Sequence, residues 1–271
     1  MEQQVPPLAG AVVDSHCHMD TSRGEDHSLA SVSDALAAAA AVGVSHVIQV
    51  GCDVESSRWA LSVAQQYDNV WATVAIHPND AARDEDLANS ISVIRELAAS
   101  PVVRGIGETG LDYFRTKREN AAPQHESFRA HIDIARDFGK ALVIHDRDAH
   151  DDIIETLKNY GAPETVVFHC YSGDADMARV CADNGWYMSF SGVLTFGNAV
   201  SLREACAAAP DELLLVETDA PFLTPSPFRG QANSSALLPL TVRAMAAVRT
   251  MDEEALCAQL FANTEKVFGP F

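Results

Sequence analysis

Val12-Val13-Asp14-Ser15-His16-Cys17-His18 reads as the start of a strand running into a His-x-His pair. Successive side chains of an extended strand alternate faces, so His16 and His18 point one way and Cys17 the other. Such a pair is a bidentate claw for a metal ion. The same arrangement, an apolar run followed closely by a histidine or an acid, recurs down the chain at His77, Glu108, His145, His169 and Asp219. The expected strands are Ala11 to His16, His46 to Val50, Val70 to Ile76, Val102 to Ile106, Ala141 to Ile144, Thr165 to Phe168, Trp186 to Phe190 and Leu213 to Val216.

Helical spacing fills the gaps between these segments. It covers Ser31 to Ala41, Val54 to Tyr67, Asp84 to Ala99, Pro123 to Phe138, Asp148 to Tyr160, Asp174 to Asn184, Asn198 to Ala208, Ser234 to Arg249 and Asp252 to Val267. Glycines at 43, 139 and 161 stand where a helix is expected to stop. Strict alternation calls for a parallel sheet, and eight units in 271 residues match an α/β fold of the (β/α)8 TIM-type barrel class. The rival is an open doubly wound sheet. That fold would gather its polar residues at one switch point and carry a Gly-x-Gly-x-x-Gly turn after the first strand, which is lacking. In a barrel the strand C-termini share one mouth, so ligands between positions 16 and 219 can meet there. No linker or repeat divides the chain, and residues 1–271 are expected to form one domain.

Composition narrows the functional classes. A hydrophobic fraction of 47% and a charged fraction of 21% describe an ordinary globular protein. The longest apolar run, Ala35 to Val44, is too short to span a bilayer. Met1-Glu2-Gln3-Gln4 lacks the basic and apolar features of a secretory leader, so the expected compartment is the cytoplasm. Six cysteines with no Cys-x-x-Cys spacing read as reduced, mostly buried thiols. Against 38 acidic residues stand 19 basic ones, a formal charge of −19, which disfavours extensive groove binding to a polyanion. A nucleic-acid substrate would have to be captured locally, with bound divalent cations supplying positive charge where a phosphate needs it.

Six strand-end residues, His16, His18, Glu108, His145, His169 and Asp219, are good ligands for divalent cations. Glu108, on the fourth strand between the two histidine sets, is placed to be the carboxylate that two ions share. Imidazoles with two carboxylates suit zinc, manganese or iron better than calcium, and magnesium stays open where carboxylates and water complete the shell. His27, His46, His125, His131 and His150 are read as structural or solvated, and Asp112 as fixing a loop.

Six ordered segments carry a resemblance that spans nearly the whole chain. They are Asp14-Ser15-His16-Cys17-His18-Met19-Asp20, Ala75-Ile76-His77-Pro78, Gly107-Glu108-Thr109-Gly110-Leu111-Asp112-Tyr113, Val143-Ile144-His145-Asp146-Arg147, Phe168-His169-Cys170-Tyr171-Ser172-Gly173 and Glu217-Thr218-Asp219-Ala220-Pro221-Phe222-Leu223. Together they resemble the TatD family of metal-dependent deoxyribonucleases, within the amidohydrolase superfamily. The resemblance implies a (β/α)8 barrel, two divalent metal ions (magnesium, manganese or zinc) and hydrolysis at DNA ends, 3'-5' on single strands. Carried over, His16, His18 and Asp219 hold one ion, His145 and His169 the other, and Glu108 bridges.

In that scheme Asp219 accepts the proton of the attacking water, and His77 stands near the scissile phosphate or the leaving oxygen. Arg147 and Arg229 orient phosphate oxygens, with an ordinary salt bridge as the competing reading of each. Tyr113, Tyr171 and Phe222 stack a terminal base, with core or rim packing as the competing reading. Two segments depart from the family pattern: Asn79-Asp80 follows His77-Pro78 where many relatives carry another histidine, and Gln231-Ala232-Asn233-Ser234-Ser235 lacks the usual proline. Both changes bear on substrate preference. Two other functions share the sequence features: a hydrolase of a small ester, lactone, amide or aminoacyl ester, and a non-catalytic metal-binding scaffold. No membrane and no obligate protein partner is expected.

Overall fold

The computed structural model describes residues 5–20 and 29–271. The expectations drawn from Met1 to Gln4 and from His27 therefore lie outside the described residues. The strands are β1 (Val12–Cys17), β2 (Val44–Val50), β3 (Val70–Val74), β4 (Val103–Asp112), β5 (Ala141–Arg147), β6 (Val166–Phe168), β7 (Tyr187–Phe190) and β8 (Leu214–Val216). They lie in one eight-stranded sheet in chain order, interleaved with helices. The fold is of the (β/α)8 class anticipated from the alternation. No helix among the described residues is long and apolar enough to cross a membrane.

The chain divides into two compact units, residues 1–48 with 173–271, and residues 49–172. In the first, β7 pairs in parallel with β8 (Ser189 opposite Leu215), and a bridge joins Cys17 to Ala220. Its helices are α1 (Leu29–Ala40), α7 (Ala175–Asp183), α8 (Val200–Ala208), α9 (Leu238–Arg249) and α10 (Glu253–Phe268). Asp174 starts α7 and Asp252 starts α10, each carboxylate accepting from two backbone N–H groups that a first turn otherwise leaves unpaired.

The second unit carries β3, β4, β5 and β6 in that parallel order. Its helices are α2 (Val54–Ala64), α3 (Pro78–Ala81), α4 (Leu87–Ala98), α5 (Ala122–Phe138) and α6 (His150–Thr156). Asp53 caps α2, and Gly139 ends α5 in the left-handed region.

The expected strand Val102 to Ile106 extends to Asp112, and Ala141 to Ile144 extends to Arg147, so Glu108 and His145 lie within strands. A register shift between Ile106 and Thr109 interrupts the β4–β5 ladder at Glu108. An irregularity of this kind re-aims a side chain out of the pleat. The glycines around it are required by close approach: a Cβ on Gly107 would stand 2.5 Å from the Val143 carbonyl oxygen, and one on Gly110, whose φ is +139°, 2.2 Å from the His145 carbonyl oxygen. None of the six cysteines forms a disulfide among the described residues, and four of them are buried.

Candidate metal centre

In the first unit, His16 and His18 stand on and just beyond the end of β1, both buried, and Asp219 follows β8. The Asp219 N–H donates to the His16 carbonyl (2.9 Å) and the His18 N–H to the Ala220 carbonyl (2.8 Å), which locks the two segments together. Asp219 adopts φ +54°, a left-handed conformation that few residues other than glycine tolerate, though aspartate is among those enriched there. Asp14 braces this turn. It is wholly buried on β1 and accepts from the Thr218 N–H (2.9 Å), the Thr218 hydroxyl (2.6 Å) and the Ser235 hydroxyl (2.7 Å). Burial pushes its carboxyl up to about 6, against the pull of the Thr218 and Ser235 hydrogen bonds.

The resulting donor atoms are closely grouped. His16 Nε2 lies 3.2 Å from His18 Nε2, and the two are 3.8 and 3.4 Å from Asp219 Oδ1. Metal bonds of about 2.0–2.2 Å in tetrahedral geometry place neighbouring donors about 3.3–3.6 Å apart. Two imidazoles and one carboxylate at these separations fit an ion without rearrangement of the backbone.

In the second unit, Glu108 is the hub. Its Oε2 lies 2.7 Å from His169 Nε2, 3.3 Å from His145 Nδ1 and 3.9 Å from His77 Nε2. Its Oε1 accepts from the Cys52 thiol (3.3 Å). Donor atoms of His77, Glu108 and His145 all fall within 4.8 Å of one another, a grouping that can hold a metal ion. His145 is held from its far side, where Nε2 faces Asp112 Oδ2 at 3.3 Å while Nδ1 faces Glu108. A carboxylate behind a histidine fixes its tautomer and raises its basicity as a ligand. Burial opposes charging of His145, but the hydrogen bonds to Asp112 and Glu108 outweigh it and raise its pKa. Asp112 is itself tied down by the Arg115 N–H (2.7 Å) and Asn79 Nδ2 (3.1 Å). Burial opposes its ionised form, yet the hydrogen bonds from His145 and Arg115 hold its carboxyl well below the usual range.

Asp112 thus fixes its loop as expected, through the Arg115 N–H, and in addition faces His145, a contact that the expected role does not include. In the sequence it stands four residues beyond Glu108, inside one of the segments that carry the resemblance. Asn79, which departs from the family pattern, is one of the two side chains at its carboxylate among the described residues, His145 being the other.

His77 lies between β3 and α3. It caps α3, its Nδ1 accepting from the Asn79 N–H (3.1 Å), and its ring meets that of His145 edge-on with centroids 4.5 Å apart. Burial is the main cause that lowers its pKa, to about 3, with Glu108 opposing. A neutral ring with Nδ1 accepting carries its proton on Nε2, on the side facing Glu108.

The remaining expected contacts divide. Tyr171 is buried at 3% exposure, so its ring packs inside and offers no face to a base. Tyr113 is half-buried, and its hydroxyl donates to Asp152 Oδ2 (2.5 Å) beside His125 Nε2 (2.9 Å), which fastens the ring to α5 and α6. Phe222 is exposed, its ring edge-on to His18 with centroids 6.2 Å apart. Arg229 stacks on Phe196 at 3.8 Å and donates to the Thr224 carbonyl (3.0 Å), strapping its own loop. Arg147 lies over Phe114 at 4.0 Å. Neither arginine makes an ion pair among the described residues, so the salt-bridge reading fails for both. Phe114, 58% exposed, went unnoticed in the sequence.

Comparison with known proteins gives concordant results. Residues 13–269 match the family model described as TatD related DNase. The uncharacterized metal-dependent hydrolase TatD of Mycobacterium tuberculosis is 42% identical over 262 residues, covering 95% of this chain and 98% of that protein. The uncharacterized metal-dependent hydrolase YcfH of Escherichia coli K12 is 37% identical over 263 residues, 95% of each. The crystal structure of YJJV, a TatD homolog from Escherichia coli K12, superposes with a TM-score of 0.88 at 25% identity, covering 96% of this chain and 98% of that one.

Proposed function

The chain belongs to the TatD family of metal-dependent hydrolases, and from that premise we propose that it is a two-metal phosphodiesterase that trims single-stranded DNA from its 3' end. One observation carries the metal assignment. His16 Nε2, His18 Nε2 and Asp219 Oδ1 lie 3.2–3.8 Å apart, the spacing that donors around one divalent ion require. His145 and His169 around Glu108 would hold a second ion. The ions, when bound, supply water activation and polarisation of a phosphoryl oxygen.

The protein's own groups divide the remaining tasks. Asp219, fixed by its backbone turn and by the Asp14 brace, is the acceptor for the proton of the attacking water. His77 offers Nε2–H to the leaving oxygen. Asp112 keeps His145 Nδ1 aimed as a ligand. Cys52 and the imidazoles around Glu108 hold its two oxygens apart in orientation. The reading places the protein in the cytoplasm.

A second reading, hydrolysis of a small ester or lactone, draws on the formal charge of −19, which repels a long polyanion. End-labelled single-stranded DNA, given to metal-stripped protein reloaded with magnesium, manganese or zinc, separates the two. Metal-dependent shortening from the 3' end that disappears in Asp219→Asn is the expected result. Metal uptake without cleavage of DNA, together with turnover of a small ester, would overturn the nuclease reading.

A further inference from the structure

The nuclease reading leaves open how a protein of charge −19 holds a nucleic-acid strand. The loop that follows β4 runs Tyr113-Phe114-Arg115-Thr116-Lys117-Arg118-Glu119, three cations and one anion in seven residues. Within it Phe114 is 58% exposed, unusual for a ring of that size. The Arg147 guanidinium lies 4.0 Å from its centroid and that of Arg115 5.6 Å. Arg118 is taken up by Asp152 (2.6 Å). Arg115, Lys117 and Arg147 are exposed and make no ion pair among the described residues. Two guanidiniums over an open ring and a third cation on the same loop, none in an ion pair among the described residues, are a poor use of surface for folding. Water solvates the ring badly, and 38 acidic residues are available as partners.

The position relative to the metal ligands is set by the ladder. Arg147 is two residues beyond His145 on β5 and in register with Asp112 of β4, and the Tyr113 N–H donates to its carbonyl (2.9 Å). Two residues along a strand keep the same face and advance about 6.6 Å. A group recognised at Arg147 is thus the immediate neighbour of one bound beside His145. Tyr113 cannot serve in its place because its hydroxyl is committed to Asp152 and its ring is half-buried.

Resting on the nuclease reading, we propose that Phe114, backed by Arg147, is the stacking platform for the base next to the scissile phosphate, with Arg115 and Lys117 following the strand's phosphates. The ligand class is single-stranded nucleic acid held at one short segment. Stacking supplies sequence-tolerant grip, and a few local cations replace the basic groove that the overall charge forbids.

The test compares the metal-loaded parent with Phe114→Ala, Phe114→Trp and the double variant Arg115→Ala/Lys117→Ala. The substrates are a short single-stranded oligodeoxynucleotide and the chromogenic diester bis(p-nitrophenyl) phosphate. Phe114→Ala is expected to raise KM for the oligonucleotide about tenfold with kcat within about twofold, and to leave the small diester unaffected, as a stacked base contributes through binding. Phe114→Trp is expected to restore KM. The double variant is expected to flatten the dependence of log KM on log salt by about 1.4, roughly 0.7 for each phosphate that is no longer neutralised. An oligonucleotide KM unchanged in Phe114→Ala, with the parent cutting DNA normally, would overturn the platform and leave the nuclease reading standing. A parent that turns over the small diester but neither binds nor cuts the oligonucleotide would overturn both.

Discussion

Asp112→Asn tests whether the carboxylate behind His145 acts on metal binding. The partners of Asp112 size the effect: Oδ1 accepts from the Arg115 N–H at 2.7 Å, and Oδ2 accepts from Asn79 Nδ2 at 3.1 Å and faces His145 Nε2 at 3.3 Å. Asparagine keeps the shape and one acceptor oxygen, so the short bond to Arg115 survives. The amide NH2 then replaces Oδ2 opposite two nitrogen donors. The variant forfeits one charge-assisted bond to an imidazole, about 1.5–3 kcal/mol, and removing such a partner typically weakens metal affinity about 10–100-fold. The expected outcome is a loss of that size at one ion only. His16, His18 and Asp219 belong to the other donor set and keep theirs. Competition against a fluorescent chelator resolves the two sites, and a thermal melt of the metal-free variant reports the fold. Unchanged affinity at both sites would refute the positioning role. Equal loss at both, with a lowered melting temperature, would show that Asp112 supports the loop and nothing more.

Two further outcomes follow from buried groups. His131 on α5 accepts the Ile76 N–H through Nε2 (3.0 Å), and its Nδ1 donates to the Ser127 carbonyl (2.7 Å). Burial is the main cause that lowers its pKa, to about 4. Because the folded value lies below the unfolded one near 6.5, the unfolded chain takes up the proton first. The contribution of His131 is therefore complete above about pH 6.5 and declines as pH falls toward about 4, by about 2 kcal/mol between pH 8 and pH 5. His131→Gln keeps an acceptor for Ile76 but cannot titrate, so its urea midpoint is expected to fall less over that interval; parallel curves would contradict the assignment. Gly110→Ala would put a Cβ 2.2 Å from the His145 carbonyl at φ +139°. It is expected to cost at least about 2 kcal/mol, lowering Tm by about 4 °C or more; an unchanged melt would mean that β4 and β5 are not so closely apposed.

The candidate metal donors were legible because each follows an apolar run, and such runs mark strands, although Glu108 and His145 lie within β4 and β5 and not at their ends. The extension of β4 was not. Gly105, Gly107 and Gly110 leave room for close approach, but glycine also weakens a strand, and the expected strand ends at Ile106. In the structure two of them are demanded by the approach of Val143 and the His145 carbonyl, and the strand continues through them to Asp112. That requirement lies in a neighbour more than thirty residues away, where no local pattern can record it.

The same distance in sequence hides the difference between Tyr113 and Phe114. Tyr113 and Phe114 are adjacent and equally suited to stacking. Tyr113 finds its hydroxyl partner Asp152 39 residues downstream, and Phe114 its guanidinium on Arg147, 33 residues downstream. Once the hydroxyl is anchored, Tyr113 is drawn toward α5 and α6, and the next residue along an irregular loop is left outward. Net charge misleads for a related reason. A total of −19 describes the average surface, whereas a strand end meets only the few groups beside the reacting atoms. Screening limits the influence of exposed charges to about 8–10 Å at physiological salt. Beside the Phe114 ring the guanidiniums of Arg147 and Arg115 lie 4.0 and 5.6 Å from its centroid, with the Asp112 carboxylate on the Arg115 N–H, a local balance that the total charge does not describe.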